Sequence, residues 1–364
     1  MKGQRKRNSV MVGILFVLLL TGLLAGLKIS LLQLPFFKHQ EHGFSLIKEE
    51  REPGPAEEQG KPEKPERLER SEGIPEKTED FSGTWQGTGI KQISVAWVSG
   101  EVQVRTVADA KEINVTETGA QKAGEAMWIQ VENDKLKIHW NDDKEMLKGI
   151  FKGKNLFEKG RRKELLIEIP EDLAFESIEC ETVSADVLLT AVHVKELAVR
   201  SSSGEVQGKK LQGEKLTISS TSGNLHLAEV TGEEMELDTT SGEIQGEDMT
   251  VKKMDFETVS GNVYLMGEIL KKIDGETVSG EMAITLSGES FPREMDLETI
   301  SGDLRLKIPE DAGFDLEFDS LSGDLSVFDQ EMGRTERWHV EGRDPMEIQG
   351  KTVSGDLFIE GLSE

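Results

Sequence analysis

Carboxylates recur in this chain at intervals regular enough to suggest chemistry. Asp186, Glu205, Glu243, Glu281, Asp303, Asp324 and Asp356 each close a Ser-Gly or Ser-Ala triplet, and Asn224 and Asn262 fill equivalent places. A row of acids can line a sugar-cleaving cleft or hold calcium. Glycoside cleavage, however, needs two unique carboxyl groups tuned apart on either side of one bond, not the same acid in every repeat. A calcium solenoid would carry a Gly-Gly-x-Gly-x-Asp repeat, which is absent. These acids are therefore expected to be solvated turn residues, and no catalytic residue is assigned. His39 and His42 form a close pair, but zinc usually takes three or four ligands, so the pair reads as a solvated flank. The single cysteine, Cys180, permits neither an intrachain disulfide nor a cysteine-rich zinc site. It falls in an apolar alternation and is expected to be a buried, inert thiol. No cofactor is implied. A net charge of −26 argues against nucleic acid as a partner, because phosphate is held by clustered Lys and Arg.

One segment runs against that charge. Lys148, Lys152, Lys154, Arg161, Arg162 and Lys163 are interleaved with Met146, Leu147, Ile150, Phe151, Leu156 and Phe157. The composition fits a short amphipathic stretch lying on anionic lipid or wall polymer. A solvated, charge-balancing loop or helix is the competing reading.

The elements that position these groups follow from an internal repeat. Ser-Gly pairs stand at Ser203-Gly204, Ser222-Gly223, Ser241-Gly242, Ser260-Gly261, Ser279-Gly280, Ser301-Gly302, Ser322-Gly323 and Ser354-Gly355, with Ser99-Gly100 upstream and Ser184-Ala185 as a variant. From Ser184 to Ser279 the step is constantly 19 residues. The columns agree as well as the spacing. Ile178, Leu197, Leu216, Met235, Met254 and Ile273 form one apolar column, and Val187, Val206, Leu225, Ile244, Val263 and Met282 form another. Thr182, Ser201, Ser220, Thr239, Thr258 and Thr277 always place a hydroxyl two residues before the triplet serine.

Within a unit apolar residues alternate, the period of a half-buried strand, and the inward parity changes at the triplet, so the chain must turn there. Glycine is expected to supply a positive φ at that turn, and Ala185 to mark a distorted first one. The fold class is all-β: a single-stranded parallel β-solenoid of about ten coils with repeats of 19 to 22 residues. The alternative is an antiparallel β-meander of Ser-Gly hairpins. Constant register and like-with-like columns favour the solenoid, whose hydroxyl column would bond along itself or to the turn backbone. Gln330 to His339, with Trp338, reads as a loop inserted from one coil.

Domain organisation follows from composition. Residues 1–9 form a basic tail. Residues 10–37 contain an apolar run, Val10 to Leu27, near the roughly 20 residues of a spanning helix. Basic residues before it place the tail in the cytoplasm, and the run is expected to remain as an uncleaved anchor. Residues 38–80 form a Pro/Glu/Lys-rich linker unable to repay the entropy of ordering. Residues 81–180 are expected to be irregular β coils with the basic insert at 144–163, and 181–364 the regular repeats.

In the recurrent phrase Thr-Val-Ser-Gly-Asp/Glu-hydrophobic, or its Asn-bearing form, seen at Thr258 to Val263, Thr277 to Met282 and Thr352 to Leu357, the chain resembles the bacterial "putative adhesin" family of β-strand-repeat domains of unknown function. The lead-in Ile167 to Pro170 supports this, and the layout is similar to LiaG-type membrane-anchored members. The resemblance covers about Ser99 to the C-terminus. It implies a cell-envelope location and, for LiaG-type proteins, genetic company with envelope-stress responses, with no established reaction. The expectation is a single-pass membrane protein whose extracytoplasmic domain displays and binds without catalysing. Its partners would be an envelope protein or wall polymer, besides the cytoplasmic membrane that holds its own helix. A membrane-tethered signalling regulator is the alternative, and a polysaccharide-cleaving β-helix comes third.

Overall fold

A computed structural model describes residues 83–120, 126–140, 162–173, 175–328, 330–332 and 335–362. The anchor, the linker and the basic insert as far as Arg161 lie outside the described residues. Among those described, no helix is long and apolar enough to cross a membrane.

Every element among the described residues is a strand. The first six are β1 (Gly83–Gly87), β2 (Gln92–Val107), β3 (Ile113–Thr118), β4 (Trp128–Glu132), β5 (Lys135–His139) and β6 (Lys163–Pro170). The repeat region contributes β7 (Phe175–Thr190), β8 (His193–Ser201), β9 (Val206–Ser220), β10 (Leu225–Thr239), β11 (Ile244–Thr258), β12 (Val263–Thr277), β13 (Met282–Leu286), β14 (Glu294–Thr299) and β15 (Leu304–Pro309). The last six are β16 (Ala312–Ser320), β17 (Leu325–Val327), β18 (Gln330–Met332), β19 (Thr335–Val340), β20 (Arg343–Thr352) and β21 (Leu357–Leu362).

The repeat coils run parallel and in register. Leu225 lies between Val206 and Ile244, and Met235 between Leu216 and Met254, along β9, β10 and β11. This is the solenoid, and it excludes the hairpin meander, in which neighbouring units would run in opposite directions. Both apolar columns of the repeat are buried, as is the hydroxyl column beside the triplets. Each regular coil turns at the triplet and again within its long strand. One of these further corners is a left-handed residue, and it too repeats: Ala191, Lys210, Glu229 and Asp248 have φ of 55°, 57°, 56° and 52°. The inward parity shifts across it, from Leu225 and Leu227 to Val230. At β12 the pattern changes, because Gly267 pairs with Met249 after a register shift.

The triplet glycines answer to a different constraint from the one expected. Only Gly100, with φ of 109°, lies in the left-handed region. Gly204, Gly223, Gly242, Gly261, Gly280, Gly302, Gly323 and Gly355 do not. Each of them instead sits over the carbonyl oxygen of the residue stacked beneath it, so that a Cβ on Gly261 would collide with the oxygen of Gly242. Close backbone approach, not dihedral freedom, selects glycine here. The Ser184–Ala185 corner is likewise not distorted; it runs through β7 as continuous strand and stacks on Gly100.

The two ends depart from sequence order in the same way. β20 and β21 lie between the coil of β14 and β15 on one side and that of β16 and β17 on the other, all parallel. The chain thus skips one rung, reverses, and returns to fill the gap. β18 and β19 cover the outside, antiparallel to β17 and β16. The segment expected to be an inserted loop is therefore capping strand, and Trp338 packs against the core. At the other end β2 lies between β7 and the pair β5 and β6, while β4 and β3 cover β5 and β6 antiparallel. An uncapped parallel stack would present a full row of unpaired backbone groups to other chains.

The glycine constraint sets a direct test. Gly261→Ala is expected to lower stability by about 3 kcal/mol or more, as overpacking against backbone does. Gly232→Ala, whose added Cβ would lie 3.4 Å from its nearest neighbours, is expected to stay within about 1 kcal/mol of wild type. Equal denaturation midpoints for the two variants would rule out the close-approach account.

Candidate functional site

The triplet residues are brought into one edge of the stack, and nearly all of their polar atoms are engaged there. The hydroxyl two positions before the serine turns back to its own corner. Gly204 N donates to Ser201 Oγ at 2.9 Å, Gly242 N to Thr239 Oγ1 at 2.9 Å and Gly355 N to Thr352 Oγ1 at 2.7 Å. Of the two roles expected for this column, the turn backbone is the one observed. Thr277 Oγ1 is the exception, buried without such a bond. The triplet serines work between coils: Ser203 Oγ donates to Val183 O at 3.1 Å, Ser322 Oγ to Val353 O at 3.1 Å and Ser354 Oγ to Ile300 O at 3.4 Å.

The third triplet position is also a coil-to-coil bond, not merely a solvated turn. Asp186 Oδ1 accepts from Glu205 N at 3.0 Å, Asn224 Oδ1 from Glu243 N at 2.9 Å and Asn262 Oδ1 from Glu281 N at 3.1 Å. Asp303 and Asp356 repeat it toward Asp356 N and Asp324 N. The shorter side chains make the bond, and Glu alternates with them through the regular repeats. With these groups committed to the scaffold, the edge is architecture. Among the described residues no group of three or more His, Cys, Asp or Glu is arranged to hold a metal ion.

The outward faces carry side chains that are less committed. Beside the triplet edge, Glu205, Gln207, His226, Gln245 and Glu247 form a hydrogen-bonded row: Gln207 Nε2 donates to Glu205 at 2.8 Å, His226 Nδ1 meets Gln245 Oε1 at 3.1 Å, and Gln245 Nε2 donates to Glu247 at 3.0 Å. The row borders a cavity of about 390 Å³. Beyond the left-handed corner, Gly213 and Gly232 lack side chains where neighbouring coils carry Val194 and Val251. A shallow groove of about 650 Å³ follows, floored by Val194 and flanked by Phe175, Thr231 and Thr250.

The strand face before the triplets at Ser241, Ser260, Ser279 and Ser301 is strongly acidic. Register stacks Glu236, Asp255, Asp274 and Asp296 in one column and Asp238, Glu257, Glu276 and Glu298 in the next. Burial, then Glu236 and Asp255, push the Asp238 carboxyl up to about 7. Burial, then Asp238 and Glu276, raise Glu257 to about 8. Asp255, Glu276 and Asp296 are raised as well, each chiefly by burial.

The basic cluster divides. Lys148, Lys152, Lys154 and Arg161 lie outside the described residues, and Arg162 is exposed. Lys163 does not belong to a binding surface. It is 2% exposed and forms an ion pair of 2.9 Å with Glu117, itself 0% exposed. Glu117 also accepts from Met127 N. The Lys163 ammonium stands 4.3 Å from the Trp140 ring centroid and 5.9 Å from that of Trp97, whose Nε1 donates to Lys163 O at 3.3 Å. The two indoles meet edge to face at 5.0 Å. Parity explains this placement: Lys163 extends the inward series Leu165, Ile167, Ile169, and Glu117 extends Ile113 and Val115. That alternation was visible in the sequence, but the surrounding basic residues masked it. Cys180 is buried in β7, and burial, reinforced by Glu181, raises its thiol to about 12. An inert thiol is the consequence.

The Toastrack DUF4097 family model matches residues 90–360. No curated protein matches the chain. Among solved structures, a putative lipid binding protein from Parabacteroides distasonis is similar at 16% identity and a TM-score of 0.45, over 76% of this chain and 96% of that one. A putative adhesin from Parabacteroides merdae gives 11% and 0.44, over 76% and 95%. A putative adhesin from Bacteroides fragilis gives 14% and 0.39, over 78% and 98%.

The buried pair yields a prediction. Lys163→Met alone strands a carboxylate in the core and is expected to cost about 3–5 kcal/mol. Combining it with Glu117→Leu is expected to restore most of that loss, because an apolar pair needs no compensation. Urea denaturation of the single and double variants checks this, and a harmless single variant would show the pair is not desolvated.

Proposed function

The chain belongs to the Toastrack DUF4097 family, and from that premise we propose that it is a non-catalytic display and binding scaffold of the bacterial cell envelope, anchored by residues 10–37 with the strand domain outside the membrane. One observation carries the reading. The recurring hydroxyls and short acids of the triplet edge are spent on corner and coil-to-coil bonds, while long faces of parallel strand remain outward for contact. Catalysis calls for a few unique convergent groups, and the strongest polar pattern in this chain is repetitive. The polar row at His226 and the groove at Gly213 and Gly232 are two concave parts of those faces. A wall polymer or an envelope protein is the partner class in this reading. The basic residues Lys148, Lys152, Lys154, Arg161 and Arg162 would add attraction for an anionic polymer or lipid surface.

Two measurements test it. A reporter active only outside the membrane, fused after residue 80, is expected to be active; activity confined to a cytoplasmic reporter would reverse the topology. Charge reversal of Lys152, Lys154, Arg161 and Arg162 is expected to abolish co-sedimentation of the full chain with anionic vesicles or purified wall polymer, and undiminished binding would remove the basic segment from the proposal.

A further inference from the structure

The acidic face is built by the same register that builds the core. Because the ends of β10, β11 and β12 that precede their triplets, and β14, pair residue for residue, carboxylates repeat along each column at the strand spacing, about 4.8 Å. At such a distance like charges repel, and more strongly where solvent is partly excluded. We propose that this grid is a proton-operated brace: the coils that carry it stack more tightly when its carboxyl groups share protons, and loosen when all of them are charged.

The surroundings of the two central groups decide the sign. Asp238 on β10 faces Ser219 on β9 and Glu257 on β11, with Glu236 two residues before it and Asp255 diagonal to it. Glu257 faces Asp238 on β10 and Glu276 on β12, with Asp255 on its own strand and Glu236 and Asp274 diagonal to it. Leu237, Thr239, Phe256 and Thr258, which alternate with these acids, point into the core and are uncharged.

Cations stand at the margins. Arg200, two rungs from Asp238 beyond Ser219, pairs with Glu181 at 3.7 Å. Lys253 pairs with Glu234 at 2.7 Å. Lys272 is held by Glu294 at 2.8 Å, Asp274 at 3.2 Å and Asp296 at 3.5 Å. Lys351, from the inserted coil, pairs with Glu298 at 2.5 Å. Each is engaged at the rim, and the centre of the grid is left to acids. Thr217 Oγ1, which donates to Glu236 at 3.3 Å, is the neutral donor at its edge.

Carboxyls in the unfolded chain titrate at 3.8 for Asp and 4.5 for Glu, against about 7 and about 8 for Asp238 and Glu257 in the fold. Between those values the folded chain binds more protons than the unfolded one. Stability must therefore fall as pH rises through that window and recover on mild acidification. The surface acids held low by lysines, Glu233, Glu234 and Glu294, act in the opposite sense only below the ordinary carboxyl range.

The experiment is a thermal melt of the full chain at about pH 5.5 and about pH 8.5 and equal ionic strength, read by far-ultraviolet circular dichroism. The midpoint is expected to be several degrees higher at the acid end. Asp238→Asn combined with Glu257→Gln, which replaces outward side chains by neutral ones of similar shape, is expected to raise the midpoint at the alkaline end and remove most of the difference. Hydrogen exchange, corrected for intrinsic rates, should locate the change in amides of residues 235–258 and leave residues 93–104 steady. A midpoint that is flat or falls toward acid overturns the proposal. So does a pH difference that survives undiminished in the double variant, or exchange protection that does not respond within the grid.

Discussion

Parallel strands stacked in register, one coil over the next at a single spacing, are the constraint on which the rest of this structure depends. In such a stack every side chain meets its counterpart from the neighbouring repeat, so a residue type must be tolerable beside itself. Leucine, valine and isoleucine satisfy that requirement by packing. Hydroxyls satisfy it at most corners because a backbone amide of the same turn donates to them, so they need not compete with the next rung. Glycine satisfies it where two backbones approach so closely that a carbonyl oxygen occupies the place of a Cβ. Acids satisfy it poorly, and the structure copes in three ways. It alternates short and long side chains at the triplet, it inserts Asn, and it places lysines at the margin of the acidic face.

The ends pose the opposite difficulty, because a repeat that pairs well with itself also pairs with any other exposed copy. Both termini of the strand domain resolve it with the same topology: one coil is sandwiched between two others, and antiparallel strands close the outside. At the C-terminal end this arrangement also places Lys351 between Glu298 and Asp319, where the order of the sequence alone would have stacked two acids. At the N-terminal end it creates the enclosed space in which Lys163, Glu117 and two indoles are packed together.

The charged groups of this protein thus fall into two environments with different physics. Glu117 and Lys163 are desolvated together, and each is the other's main compensation. The carboxylates of the outer face are only partly desolvated and lack such partners at their centre, so protonation is their route to relief. The first arrangement holds a cap in place through packing and an enclosed ion pair. The second couples the middle of the stack to its surroundings.

The coil is already written in the order of the residues. A constant 19-residue step, two apolar columns and a hydroxyl column leave little freedom, because only in-register parallel stacking places like residues together over so many repeats. That order also located the triplet edge and the burial of Cys180. Three features were decided by tertiary structure alone. The reason for the glycines lies in the neighbouring coil, not in the local turn, so no reading of one repeat could supply it. Sandwiching of the terminal coils depends on which strands find each other across long separations, and the irregular steps of 22, 21 and 32 residues do not encode that choice. Lys163 looked like one more member of a basic surface because neighbours along the chain suggested it; only the packing of β3 against β6, which sets Glu117 opposite Leu165, brought the two charges within reach of each other, where burial and an ion pair override the company Lys163 keeps in sequence.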